Sequence, residues 1–124
     1  MTGALRVLVV DDHPVNRLVL AEIFTHMGCN VSTADDGFAA LAAASVEVFD
    51  LICLDRNMPG LSGDDVVSGL PADQFVLAWS TEASDLPRRF NGVLSKPVSL
   101  AAAADAAERA VAWRTAQARR SLAA

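Results

Sequence analysis

Hydrophobic residues in this chain gather into short runs, and most runs stop at an acid, a hydroxyl or a lysine. Leu5-Arg6-Val7-Leu8-Val9-Val10 is rich in β-branched residues and ends at Asp11-Asp12. It reads as a buried strand with acids at its C-terminal end. Pro14 suits the first turn of a helix. Val15, Leu18, Val19, Glu22, Ile23 and Met27 then recur at helical spacing, and Gly28 is a natural stop. A second strand is expected from Cys29 to Ala34, a turn at Asp35-Asp36-Gly37, and an Ala-rich helix from Phe38 to Ser45. Phe49 to Leu54 is a third apolar strand, ending in Asp55, and Met58-Pro59-Gly60 breaks the chain behind it. The pattern predicts a short helix from about Gly63 to Leu70 and a fourth strand from Gln74 to Trp79, which stops at Ser80-Thr81. The stretch around Pro87 leaves room for a short helix at most. Gly92 to Ser95 is a brief fifth strand before Lys96-Pro97, and Ser99 can cap a last helix from about Leu100 to Arg119.

Strand and helix alternate along the whole chain, which predicts an α/β fold with a doubly wound parallel sheet covered on both faces. Such sheets bind ligands beyond the C-terminal ends of their strands, where the strand order reverses. The polar residues that interrupt the apolar runs fall at those ends. Asp11 and Asp12, Asp55, Ser80 and Lys96 are delivered by four strands to one rim.

Carboxylates that converge repel one another unless a cation joins them. A hard divalent ion such as Mg²⁺ takes one or two carboxylates and keeps several waters. Asp11 and Asp12 can both approach it because the chain turns at the strand terminus. Asp55 can then attack phosphorus and form an acyl phosphate. Lys96 supplies positive charge to one phosphoryl oxygen, and the Ser80 hydroxyl donates to another. A single Asp at a strand end is ordinarily a cap or turn residue, and Asp35, Asp36, Asp64 and Asp65 are read so. The ordered set of an acid pair, a lone acid, a hydroxyl and a Lys-Pro is read as chemistry.

Composition narrows the setting. The 124 residues suit one domain, 52% are hydrophobic and 20% charged, and the net charge is −5. That acidity argues against DNA binding. The two cysteines, Cys29 and Cys53, sit in apolar stretches and read as buried reduced thiols. The first residues, Met1 to Arg6, do not resemble a signal peptide, and no uncharged run approaches a membrane span. A cytoplasmic protein without membrane contact is expected.

Val7-Leu8-Val9-Val10-Asp11-Asp12, Leu54-Asp55-Arg56-Asn57-Met58-Pro59-Gly60, Ser80 and Leu94-Ser95-Lys96-Pro97 together resemble the signature of response-regulator receiver domains. The resemblance covers essentially residues 1–124 and implies one receiver domain with the flavodoxin-like strand order 2-1-3-4-5. It implies that Asp55 accepts phosphate from a phosphohistidine on a sensor histidine kinase or histidine phosphotransfer protein. Such a domain is a phosphoacceptor that assists its own chemistry rather than an enzyme. Asp11, Asp12, Asp55 and the backbone carbonyl of Asn57 would bind Mg²⁺, with Mn²⁺ a substitute, while Ser80 and Lys96 would engage the phosphoryl group. His13-Pro14-Val15-Asn16-Arg17 also resembles the opening of the first helix in receivers of hybrid kinases. A stand-alone regulator and a domain of a larger kinase both stay open. Output would be by contact with a downstream protein, and a monomer is favoured.

Departures from the family pattern set further expectations. Val93 occupies the fifth-strand position where the family usually carries Tyr or Phe, so gating by a ring there is not expected. Trp79, beside Ser80, is a possible substitute. Thr81 is bulkier than the usual residue and should crowd the approach of a donor, whereas Asn57 and Glu82 can orient an attacking water. Arg56 replaces a common apolar residue; it either reaches toward the phosphoryl group or, the favoured reading, lies in solvent. The third and fourth helices should be clipped. In the last helix, Leu100, Ala103, Ala104, Ala107, Ala110 and Val111 make a stripe that can lie close to the sheet. Val93 and Trp113 are candidate partner-surface residues, although edge packing is the plainer reading of Trp113. Arg114, Arg119 and Arg120 suit a helix C-terminus, or grip an anion such as a cyclic dinucleotide.

Two other functions compete. A small phosphohydrolase resembling the haloacid dehalogenase group would carry Asp-x-Asp on its first strand. Here the lone acid is on the third, and Asn57, two residues on, cannot serve as a general acid. A phosphorylation-independent binding module is the alternative that Val93 keeps in view.

Overall fold

The apolar runs form five strands: β1 (Arg6–Val10), β2 (Asn30–Ala34), β3 (Leu51–Asp55), β4 (Val76–Ser80) and β5 (Gly92–Ser95). The helices are α1 (Pro14–His26), α2 (Gly37–Val46), α3 (Gly63–Gly69) and α4 (Leu100–Ala123). This computed structural model describes residues 4–81 and 84–123. All four strand pairings are parallel, in the order β2-β1-β3-β4-β5. Hence β1 lies between β2 and β3, and the strand order reverses beside it. Register aligns the C-terminal ends: Val10 pairs with Leu54 and with Ala34, Asp55 with Trp79, and Ser80 with Ser95.

Alternation along each strand divides the core into two layers. Val7, Val9, Leu51, Cys53, Leu77 and Trp79 face α1 and α4, where they meet Leu20, Phe24 and the small side chains Ala103, Ala106, Ala107 and Ala110. Leu8, Val10, Ile52, Leu54, Val76 and Ala78 face α2 and α3, where they meet Ala40, Val66, Val67 and Leu70. The central strands β3 and β4 are buried throughout, which is why their sequences are nearly unbroken apolar runs. Cys53 lies wholly inside and Cys29 half inside; burial raises both thiols above their ordinary range and keeps them protonated.

Helix faces differ from the sequence expectation at two places. In α1 the sheet-facing residues are Leu20 and Phe24, with Ile23 half-buried, while Val15, Leu18 and Val19 are exposed. Arg17 explains the rotation: its Nη1 donates to the Asp11 carbonyl at 2.8 Å, so the face of residues 17, 20 and 24 turns to the sheet. In α4, Ala106 is buried whereas Leu100 and Val111 are exposed. Only a side chain as short as Ala fits between this helix and the broad side chains of β4, so the larger residues turn outward.

Local chemistry sets the helix ends. Asp36 Oδ1 accepts from the Ala39 N–H at 2.7 Å, Ser62 Oγ from the Asp65 N–H at 3.2 Å, and Ser99 Oγ from the Ala102 N–H at 3.0 Å. Past α1, Gly28 has φ +88°, the left-handed cap that glycine adopts most readily. α3 has seven residues, and between β4 and β5 the described residues form turns rather than a helix, so the expected shortening reaches its limit there. Glu82 and Ala83, with Met1 to Gly3 and Ala124, lie outside the described residues. No helix among the described residues is long and apolar enough to cross a membrane.

Gly63 joins this frame to the rim. Its N–H donates to the Arg56 carbonyl at 3.0 Å, and a Cβ here would stand 2.1 Å from the Asp55 carbonyl oxygen. That contact is with backbone and has no flexible end to yield. Gly63→Ala is therefore expected to destabilise the fold by about 1–3 kcal/mol, read as a lower urea midpoint with unchanged slope. Wild-type stability in the variant would contradict this packing.

Candidate functional site

β1 ends at Val10 and places Asp11 in the first position beyond the sheet, fully buried. β3 carries Asp55 at its last position, also buried. Both acids turn back on the chain in the same way. Asp11 Oδ1 accepts from the His13 N–H at 2.8 Å, and Asp55 Oδ1 accepts from the Asn57 N–H at 3.0 Å. Each therefore keeps its second oxygen for the space between β1 and β3.

Lys96 enters that space from β5. Its N–H donates to the Ser80 carbonyl at 3.0 Å, which ties the end of β5 to the end of β4. Its Nζ lies 3.0 Å from Asp11 Oδ2 and 3.5 Å from Asp55 Oδ2, with 16% of the side chain exposed. The same ammonium stands over the Trp79 ring, 4.6 Å from the centroid. Ser80 is buried at the end of β4, and Asp12 is exposed at the mouth.

Electrostatics follow from this placement. Burial pushes the Asp55 carboxyl up to about 6, and the Asp11 carboxylate pushes the same way; the Asn57 N–H and the Lys96 ammonium oppose them. Oxygen atoms of Asp11, Asp12 and Asp55 lie within 4.8 Å of one another. With Lys96 beside them, three carboxylates against one ammonium leave two negative charges at the rim. An all-oxygen donor set with that charge suits a hard divalent cation.

The structure thus brings Asp11, Asp12, Asp55 and Lys96 together, with Ser80 on the neighbouring strand end. Asn57 is exposed beside Asp55, and Thr81 is exposed in a cleft that also contains Lys96. Glu82 lies outside the described residues. Arg56 is in neither of its expected places. Its Nε and Nη2 grip both carboxylate oxygens of Asp64 at 3.0 and 3.1 Å, and Nη1 and Nη2 donate to the carbonyls of Ser84 and Asp85 at 3.0 and 3.2 Å. This guanidinium, 13% exposed, ties α3 to the β4–β5 connection. Val93 is half-buried against the α2–α3 layer. Trp113 stacks tilted on Phe75 at 5.6 Å, and its Nε1 donates to the Asp73 carbonyl at 2.9 Å. Arg114 pairs with Asp50 at 3.3 Å.

Sequence reading missed the parts His13 and Arg17 play, and it offered Trp79 only as a possible stand-in for the absent fifth-strand ring, not as a neighbour of Lys96. The first two hold Asp11 through backbone groups, which no motif spells out. Trp79 contacts Lys96 across two strands, and its position before Ser80 was the one available signal.

A family model described as the response regulator receiver domain matches residues 7–108. The chain belongs to this family. It is 37% identical over 82 residues to the sensor histidine kinase GacS of Pseudomonas protegens, covering 66% of this chain and 8% of that protein. The chain thus spans under a tenth of the curated relatives it matches. Among solved structures, Vibrio cholerae chemotaxis protein CheY4 superposes with TM-score 0.78 at 29% identity, over 87% of this chain and 99% of that one. The response regulator TrrA of Thermotoga maritima, solved in complex with Mg²⁺-BeF, gives TM-score 0.80 at 27% identity, over 86% and 98%.

The raised Asp55 carboxyl has a stability consequence. In metal-free buffer its protonated form favours the fold fully below the unfolded value of about 3.9, and that contribution is lost as pH rises through about 6. Asp55→Asn carries no such charge. The variant is expected to exceed wild type by about 1–3 kcal/mol at pH 8, with the gap closing toward pH 4. Urea titrations at pH 4, 6 and 8 in chelator test this; a gap that widens as pH falls would contradict it.

Proposed function

We propose that the chain accepts a phosphoryl group on Asp55 and uses the modified state to change its contacts with another protein. The observation that carries this reading is the Lys96 ammonium shared between Asp11 Oδ2 and Asp55 Oδ2, at 3.0 and 3.5 Å, beside a third carboxylate. A purely structural ion pair needs one acid. Two acids, a third at the mouth and a lysine in the same space make a site that lacks two positive charges. A divalent cation meets that demand, and with it in place an anionic phosphoryl donor can approach Asp55 without net repulsion.

In the proposed step an Asp55 carboxylate oxygen attacks phosphorus. The P–N bond of a phosphohistidine breaks, its electron pair returns to the imidazole, and the ring takes a proton from solvent. Imidazole is the leaving group, and Asp55 is left carrying the phosphoryl group as an acyl phosphate. Lys96 lies within reach of the phosphoryl oxygens, and the Ser80 hydroxyl comes from the adjacent strand end. Asp11, Asp12, Asp55 and the Asn57 carbonyl would hold Mg²⁺, or Mn²⁺ in its place. When bound, that ion supplies positive charge to the phosphoryl oxygens. TrrA in complex with Mg²⁺-BeF supports this assignment by similarity.

The donor is a sensor histidine kinase or a histidine phosphotransfer protein, in keeping with relatives that are sensor histidine kinases. The domain is a phosphoacceptor rather than an enzyme, extends over the whole of residues 1–124, and works as a monomer in the cytoplasm on a downstream protein target. Thr81, exposed beside Lys96, narrows the approach of a donor.

Intact-protein mass spectrometry after incubation with acetyl phosphate tests the reading. The expected result is a Mg²⁺-dependent gain of one phosphoryl group on wild type and none on Asp55→Asn. Wild type without a gain from acetyl phosphate or from a phosphohistidine donor would leave the binding-only module as the better account.

A further inference from the structure

Trp79 lies in the core and under the Lys96 ammonium, and three observations set it apart. It pairs in register with Asp55, so in the parallel ladder both side chains face the α1–α4 layer. Its ring carries the Lys96 ammonium at 4.6 Å from the centroid. Its Nε1 is buried and has no hydrogen-bond partner among the described residues, although the residue is only 2% exposed. A buried indole N–H normally finds an acceptor, and one that does not calls for an explanation.

We infer that Trp79 is a positioning residue for Lys96 and that its indole moves when Asp55 is loaded. This rests on the phosphoacceptor reading above. Among the described residues the Lys96 ammonium meets Asp11, Asp55 and the ring face. The two carboxylates pull it toward the rim. The ring holds it from below and keeps water from that side, so the ammonium stays extended toward Asp55 rather than folding back into solvent. A phosphoryl group on Asp55 would add anionic oxygens, and a cation held by the Asp11, Asp12 and Asp55 carboxylates would compete with Lys96 for them. Both changes draw Lys96 outward, off the ring.

The ring has somewhere to go. A cleft of about 440 Å³ opens beside it, bounded by Asn16 and Val19 of α1, Thr81, Lys96 and Val98. An indole freed from the ammonium can rotate there and bring Nε1 to water or to a polar neighbour. The motion lies on the α1–α4 side, whereas Val93 packs against the α2–α3 layer. The aromatic element of this domain is thereby displaced by one strand and to the opposite face of the sheet.

The test uses the full chain and two readouts. Trp79 and Trp113 are its two tryptophans, so Trp113→Phe leaves Trp79 as the reporter. In that background Mg²⁺ with beryllofluoride is expected to shift Trp79 emission, and the shift should be absent after Trp79→Phe with Trp113 restored. Phosphorylation by acetyl phosphate should slow about 5- to 20-fold in Trp79→Leu and stay within about 2-fold of wild type in Trp79→Phe, because the second keeps a ring under the ammonium. Packing alone would also favour Phe over Leu, so the Trp79 emission with and without the Lys96 ammonium is the readout that separates the two roles. Lys96→Met removes the cation and keeps the ring; in the Trp113→Phe background it must change Trp79 emission even without a donor. Unchanged emission there overturns the pairing whether or not Asp55 accepts phosphate. Unchanged emission on beryllofluoride binding, or a wild-type rate in Trp79→Leu, overturns the positioning role. Should Trp79→Leu fail to fold, the Trp79→Phe rate and the two emission measurements decide. A wild type that gains no phosphoryl mass is failure of the underlying reading, told apart by the Lys96→Met emission, which needs no phosphoryl group.

Discussion

The arrangement at the rim depends on one charged contact, the Lys96 ammonium held by the carboxylates of Asp11 and Asp55. Removing ions from water is unfavourable, and two acids are harder to bury than one. Lys96 offsets part of that burden and leaves the rest. The raised Asp55 carboxyl is the sign of what stays uncompensated. The site is thus built with a deficit of positive charge. That deficit suits a divalent cation, and it sets the site apart from an ordinary buried ion pair.

The rest of the fold keeps that contact in place. Parallel pairing brings the ends of β1, β3, β4 and β5 to one edge, and register fixes them to within a residue. The Lys96 N–H on the Ser80 carbonyl closes one side, and Arg17 on the Asp11 carbonyl closes the other. Gly63 lets α3 approach the Asp55 backbone, and Arg56 binds that helix to the β4–β5 connection. The small face of α4 lets the helix lie against Trp79 and its neighbours, so Lys96 meets a packed aromatic floor rather than water.

Much of this was legible in the sequence, for physical reasons. Buried central strands need unbroken apolar runs, and an acid or lysine at the end of such a run has one direction to go. Asp11, Asp55, Ser80 and Lys96 were therefore readable by position alone. The helix faces were less so. Val15, Leu18 and Val19 match a helical stripe, yet a polar anchor, Arg17, turned α1 by part of a turn and left them exposed. In α4 the alanine stripe was legible, and Ala103, Ala107 and Ala110 are buried, but Leu100 and Val111 at its ends are exposed and Ala106 takes their place against the sheet. Arg56 was misread because its partners, Asp64, Ser84 and Asp85, come from segments whose conformation the sequence marks poorly. The contact of Trp79 with Lys96 joins residues 79 and 96 on two strands and carries no local signal.

The most direct test of the central claim is a crystal structure of this chain with Mg²⁺ and beryllofluoride. The account predicts beryllofluoride on an Asp55 oxygen, the cation held by the Asp11, Asp12 and Asp55 side chains, and Lys96 moved from Asp11 Oδ2 toward the fluorides. Beryllofluoride elsewhere, or Lys96 unmoved with Asp55 bare under saturating ligand, would contradict it.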